Sequence, residues 1–290
     1  MKEPSPLLLL IGTGTMLGLN FPIGKMALAQ GVNPALWAAF ISLGAGLALL
    51  FITIWRERGQ AAPDRTLKFS LISGFLSYVM PNFLTFTVIP KIGSGLAAIM
   101  FALSPVTTAL ISIIFGVRPP NKWGLAGIGV GLLGAGLIIS GRNTNLELNQ
   151  NWWVIAALLI PLFLGLGNVY RTSAWPNNAT PHRLAAYTNL AAVPFLVVIA
   201  TIDGVTFAPL YSMPMLLILQ LVVSTCMFLM FFKLQQIGGP TYLSQIGYVA
   251  AAVGLVIGVT LLDEVYPLTV WLGALVIASG IALSTISSFK

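Results

Sequence analysis

The chain has 290 residues, 57% hydrophobic and 7% charged, with 14 basic residues against 7 acidic ones and a net charge of +7. A soluble protein carries roughly 25% charged residues, so a water-facing globule is excluded, and a mean hydropathy of +0.94 makes lipid the solvent. No basic run is long enough for a nucleic-acid site, and the single cysteine, Cys226, excludes an internal disulfide or a thiolate metal cluster.

One crossing takes about 20 apolar residues, so ten crossings with their connections consume the chain and leave no soluble domain. The apolar runs are long and continuous, unlike the short alternating segments of a β-barrel. In chain order the expected spans are 6–27, 33–55, 68–89, 92–115, 121–140, 152–172, 183–202, 212–234, 238–261 and 267–288. Lys2 followed by Leu7–Ile11 resembles a signal peptide, but no small-residue cleavage pattern follows, so the first segment is read as a retained helix. Turn chemistry or charge separates the spans at Gly31–Pro34, Arg56–Pro63, Pro90-Lys91, Arg118–Asn121 and Pro176–Pro181.

Charge tests the count. With the N-terminus in the cytosol, the inner side receives Lys2, Arg56, Arg58, Arg65, Lys68, Arg118, Lys122, Arg171, Arg183, Lys233 and Lys290, and the outer side Lys25, Lys91 and Arg142. That asymmetry follows the positive-inside rule and puts both termini in the cytoplasm. An internal repeat is also visible: residues 92–136 match 237–282, and Asn20 near the end of the first span has Asn168 near the end of the sixth. Five helices per half is an odd number, so the halves are expected to enter the membrane in opposite senses. That arrangement serves transporters or, as an alternative, a symmetric channel.

Gly18-Leu19-Asn20-Phe21 followed by Lys25, and Leu261-Leu262-Asp263-Glu264-Val265-Tyr266-Pro267 followed by Trp271-Leu272-Gly273 and Gly280, resemble the opening and the close of EamA-type repeats. The chain is thereby similar, over its whole length, to the EamA family of the drug/metabolite transporter superfamily. The resemblance implies ten helices in an inverted five-plus-five repeat and export of small metabolites through a central cavity. It departs from the family at Gly116-Val117-Arg118, where the first repeat lacks its acid.

No catalytic residue, metal ligand or cofactor site is expected. His182 is read as a solvated loop residue, and the glycines of 127–136 as a helix-packing surface rather than a phosphate loop. What remains are polar side chains within apolar helices, where each must face protein or water. Tyr78, Asn82 and Thr85 fall on one stripe of the third span, and Thr241, Gln245 and Tyr248 repeat that spacing in the ninth. Asn20 and Asn168 add amides, with Tyr187, Asn189 and Gln220 on spans seven and eight. Such groups serve either as glue between helices or as cavity lining; for the two stripes together the lining is preferred. The repeat pairs the polar stripes with apolar ones containing Met100 and Met227, which would make the chamber amphiphilic, unless these methionines face lipid.

No acid lies in the middle of a span, so flux down the solute's own gradient, or coupling through groups near the surface, is expected. Glu264 is read as capping the tenth helix or as a gate. Lys25 would snorkel to the interface or attract an anion, Pro22 would be a gate hinge or a static kink, and Arg171 would serve the inner mouth or topology alone.

The expectation is therefore an all-α polytopic membrane protein with ten transmembrane helices in two inverted five-helix repeats, 1–146 and 147–290, in a bacterial inner membrane. It exports a small amphiphilic, amino-acid-like metabolite by alternating access, or alternatively acts as a facilitative, channel-like permease. Its partners are a small-molecule solute and the lipid bilayer, with no nucleic acid and with a homodimer left open.

Overall fold

Hydrocarbon offers a peptide group no hydrogen-bond partner, so segments of this composition must satisfy their backbones internally. The computed structural model describes residues 5–58, 61–117, 121–140, 148–202, 204 and 206–286, and every regular element among them is helical. Helices α1 (Pro6–Ala29) and α2 (Pro34–Glu57) both begin on a proline, whose missing N–H costs nothing there. Between them the Asn33 side chain accepts from the amides of Ala35 (2.9 Å) and Leu36 (3.2 Å), so the Gly31–Pro34 break is a helix cap.

Prolines divide several later spans. α3 (Thr66–Gly74) passes through one π-turn, Phe75–Val79, into α4 (Met80–Ile92), and the widened turn lies directly before Pro81. α5 (Ser94–Ala102) and α6 (Ser104–Phe115) meet at Leu103, just ahead of Pro105. After α7 (Lys122–Ser140), α8 (Leu148–Ala157) and α9 (Leu159–Ser173) meet at Leu158, ahead of Pro161. In each case a ring without an N–H removes one rung of the helix ladder.

The chain continues through α10 (Pro181–Ile202), the short α11 (Ala208–Tyr211), α12 (Pro214–Ser244), α13 (Ile246–Leu262) and α14 (Leu268–Ile286). Within α12, Gly239 has φ 70° and ψ −174°, a conformation that favours glycine, and Pro240 follows it. The eighth span therefore turns at Gly239, and the segment expected as one straight helix over 238–261 is interrupted again at Gln245. Among the described residues seven stretches are long and apolar enough to cross a membrane, and Ile246–Leu262 and Leu268–Gly280 are apolar but shorter. The outer faces carry exposed Phe51, Trp55, Ile114, Leu133, Trp152 and Ile202, a surface suited to lipid rather than water.

The helices pack reciprocally. α1 lies against α12 and α13, as α9 lies against α4 and α6; α2 packs on α12 as α10 packs on α3. α2 also pairs with α10, and α7 with α14, each with its own counterpart. Exchanging the halves thus maps the contacts onto one another, as expected of two repeats. The proposed boundary at 146/147 lies outside the described residues.

α7 and α14 approach through small residues. A Cβ on Gly134 would stand 2.6 Å from the Gly273 carbonyl oxygen, and one on Gly280 would stand 2.6 Å from the Gly127 carbonyl oxygen. These glycines permit the approach. Gly134→Leu or Gly280→Leu is expected to destabilise the purified protein by about 1–3 kcal/mol, read as a lowered melting temperature in detergent. Gly136→Ala, where nothing lies within 4 Å, is the neutral control.

Candidate functional site

Polar residues gather between the halves around a cavity of about 50 Å³, room for a few water molecules. The π-turn and α4 contribute Ser77, Tyr78 and Asn82, and the α5–α6 junction contributes Phe101 and Ser104. From the second half come Asn168 and Arg171 on α9, Met227, Phe228 and Phe231 on α12, and the backbone break between α12 and α13. A smaller space of about 20 Å³ adjoins it and adds Asn20 and Thr85. A wider recess of about 350 Å³, bordered by Arg56, His182 and Lys233, opens elsewhere, on the face of α12 carrying Leu229 and Met230.

Arg171 dominates the cavity. Its relative exposure is 0%, and no carboxylate among the described residues pairs with it. Its guanidinium donates to Asn168 Oδ1 (2.6 Å), to Gln235 Oε1 (3.3 Å) and to the Ser77 hydroxyl, and sits 4.8 Å from the centre of the Phe231 ring. Neutral acceptors and an aromatic face thus carry a charge whose burial costs about several kcal/mol when unpaired. Close by, Tyr78 is 3% exposed and packs its ring 4.7 Å from that of Phe228, and its hydroxyl has no hydrogen-bond partner.

The residues singled out in the sequence divide. Tyr78, Asn82, Asn168, Arg171 and Met227 border the main cavity, and Asn20 and Thr85 the smaller one. Asn20 is also firmly tied, donating to the Met16 carbonyl (2.7 Å) and accepting from Ser224 (3.2 Å) and Gln220. Asn168 donates to Thr108 (3.1 Å). Met100 and Met227 are buried, so neither faces lipid, and Met100 packs in the core without bordering either space.

Gln245 and Tyr248 are buried outside the cavity, which is bordered instead by Leu243, Ser244, Ile246 and Gly247, because the breaks at Gly239 and Gln245 change the register of the stripe. The Tyr248 hydroxyl is directed at Gly131 on α7. The Thr241 side chain lies outside the described residues. Pro22 is buried within a continuous α1, and its neighbour Phe21 stacks edge-on against Phe101.

Three assignments need correction. Arg171 is no surface or inner-loop charge but a buried one, so it leaves the cytosolic tally. Lys25 does not snorkel; it donates to Glu264 at 2.5 Å. Glu264 does not cap α14 but receives the first turn of α5, accepting from the Ser94 amide (3.1 Å), the Ser94 hydroxyl (2.7 Å) and the Gly95 amide (3.3 Å), with Tyr266 donating as well. A carboxylate at a helix N-terminus is well placed. Burial raises the Glu264 pKa, but hydrogen bonds from Lys25, Tyr266 and Ser94 outweigh it and hold the group down at about 2. The ends of α1 and α13 and the start of α5 are thereby joined across the halves.

Among the described residues the repeat has no second copy of this junction. Gly93 (φ 84°) before α5 corresponds to Gly239, so Ser94 corresponds to Pro240, which has no N–H to donate. Gly116 and Asp263, both left-handed helix ends, align Glu264 with Val117. A different cluster ties α2 to α10: Glu57 binds His182 (2.9 Å), Arg183 and Thr180, and Arg183 donates to the Ala61 carbonyl (2.6 Å). His182 is therefore engaged with Glu57, not simply solvated.

A family model described as the EamA-like transporter family matches residues 4–140 and 151–286, and the chain belongs to that family. An uncharacterized inner membrane transporter, YedA of Escherichia coli strain K12, is 29% identical over 138 residues, covering 47% of this chain and 44% of YedA. The YedA proteins of strains O6:H1 and O157:H7 match equally, so the similarity spans less than half the length of these relatives. A solved crystal structure superposes with a TM-score of 0.73 over 96% of both chains at 16% identity, a likeness of fold.

Because the Glu264 pKa is depressed, its contribution to stability is complete above the ordinary carboxylate value and is lost as pH falls towards about 2. Glu264→Gln is expected to lower stability by about 1–3 kcal/mol. In thermal unfolding the gap to the parent should stay flat from pH 5 to 8 and narrow only below roughly pH 4.

Proposed function

We propose that this member of the EamA-like transporter family is a ten-helix carrier with two inverted five-helix repeats that exports a small amphiphilic, amino-acid-like metabolite by alternating access. The supporting observation is the cavity between the halves, mainly apolar but edged by a few polar groups, in a molecule whose exterior is apolar, a place where a solute could exchange water for Tyr78, Asn82, Asn168 and Arg171. A cavity holding only a few waters must widen to take a metabolite, so the halves must part on one side at a time. The Lys25–Glu264–Ser94 junction would close the outer end and break when the cavity opens outward. Its partner ends, carrying Pro240 and Val117, lack that bond; the inner end is tied instead by Glu57 to His182 and Arg183, contacts that would part when the cavity opens inward. Repeats of residues 1–146 and 147–290, termini in the cytoplasm of a bacterial inner membrane and a homodimer complete the proposal.

No carboxylate among the described residues borders the cavity, which favours flux down the solute's gradient over proton coupling through a buried acid. A facilitative, channel-like permease is the second reading. Counterflow separates the two: protein in liposomes preloaded with unlabelled solute is expected to accumulate labelled solute transiently and to saturate. Uptake linear in concentration and without counterflow would establish the channel. Orientation has its own check. Asn178-Ala179-Thr180 forms a glycosylation sequon placed on the cytosolic side, so expression in a eukaryotic host should leave Asn178 unmodified.

A further inference from the structure

We infer that the cavity selects a monoanionic organic acid with an apolar body, the carboxylate being bound by Arg171 with help from the Tyr78 hydroxyl. The inference rests on the carrier reading and, among small amphiphilic metabolites, moves the solute class from amino-acid-like to carboxylic acids without an amine. Among the residues bordering the cavity one is cationic and none is acidic. Arg171 is wholly buried and is held only by neutral groups, the amides of Asn168 and Gln235, the Ser77 hydroxyl and the Phe231 ring. These orient the guanidinium without neutralising it. A guanidinium is always charged and presents a planar fork that matches a carboxylate, so the site has an unmet demand for one negative charge.

The second observation is independent of the charge. The Tyr78 hydroxyl is buried at the same cavity with no partner. A buried unsatisfied donor is costly, and an entering anion would accept from it. The remaining surface is apolar, from Leu17, Phe101, Leu164, Phe228 and Phe231, and suits an aliphatic or aromatic body. With one cation, a doubly charged phosphate would bring uncompensated charge. With no acid, an ammonium would find no counter-charge, so a zwitterionic amino acid should bind less well than the acid that lacks its amine.

A matched set of probes tests this: 3-phenylpropanoate, phenylalanine and phenethylamine, with 4-methylpentanoate and leucine as the aliphatic pair. Binding to the purified full chain is read from the ligand-dependent shift in melting temperature. The two carboxylates are expected to bind saturably, the amino acids more weakly and the amine not at all. Arg171→Gln should weaken carboxylate binding by about tenfold to a hundredfold, the range for hydrogen bonds to charged groups. Tyr78→Phe removes an unpartnered hydroxyl, so it should leave the ligand-free melting temperature unchanged or raised while weakening carboxylates about twofold to tenfold. That combination is not produced by a merely structural tyrosine, and it decides the matter should Arg171→Gln fail to fold.

Failure of either carboxylate to bind, equal or better binding of phenethylamine, or carboxylate affinity unchanged in Tyr78→Phe would overturn the inference. Carboxylate binding without counterflow in liposomes would keep the site and remove the carrier. Counterflow of a neutral or cationic solute, insensitive to Arg171→Gln, would keep the carrier and remove the site.

Discussion

A polar group inside hydrocarbon must find its partner within the protein, and this requirement organises the molecule. It makes the described elements helical and directs Phe51, Trp55 and Ile202 outward. The same demand sends the amides and hydroxyls to the seam between the repeats. Some of them bond to one another there. Asn20, Gln220 and Ser224 bind α1 to α12, while Asn168 and Thr108 bind α9 to α6. Glue and lining are thus not alternatives: Asn20 and Asn168 do the first and border a space as well. Others stay without a partner, among them the hydroxyls of Ser42, Thr85, Thr188 and Tyr248 and the Gln220 Oε1; at the main cavity the Tyr78 hydroxyl does so beside Arg171, which no carboxylate among the described residues pairs.

Much of this was legible in the sequence because lipid imposes simple rules. The spans emerged from hydropathy, with ends within a few residues of those observed for α1, α2, α10 and α14. Tyr78 and Asn82 stood out because polar side chains are rare in such runs. Arg171 reads as an inner-side charge in the sequence because any base near a helix end serves the positive-inside rule, which does not tell a loop from an interior. Ser77, Ser104 and Ser244 carried no signal, serine being common in membrane helices. Gln245 and Tyr248 were placed on a straight helix that Gly239 and Gln245 interrupt. The meeting of residues 25, 94 and 264 has no local periodicity, so only the folded chain reveals it.

The two repeats keep one backbone but not one chemistry. Gly93 and Gly239 both make the turn into the following helix with positive φ. At the first, Ser94 and Gly95 offer donors and Glu264 receives them. At the second, Pro240 offers none and Val117 needs none. The Ser94 donors and the Glu264 carboxylate are thus replaced together, which fits the chain's departure from the family's acid at Gly116-Val117-Arg118. Both ends of the pseudo-symmetric bundle therefore carry ion pairs across the halves, but from different residues: Lys25–Glu264 at one, and Glu57 with Arg183 and His182 at the other.

The glycine contact between α7 and α14 has a mechanical corollary. Backbone and side chain meet there without spare room, Ile277 lying buried against Gly134, so pulling the two helices apart forfeits dispersion contact on both sides and the pair is expected to move as one body.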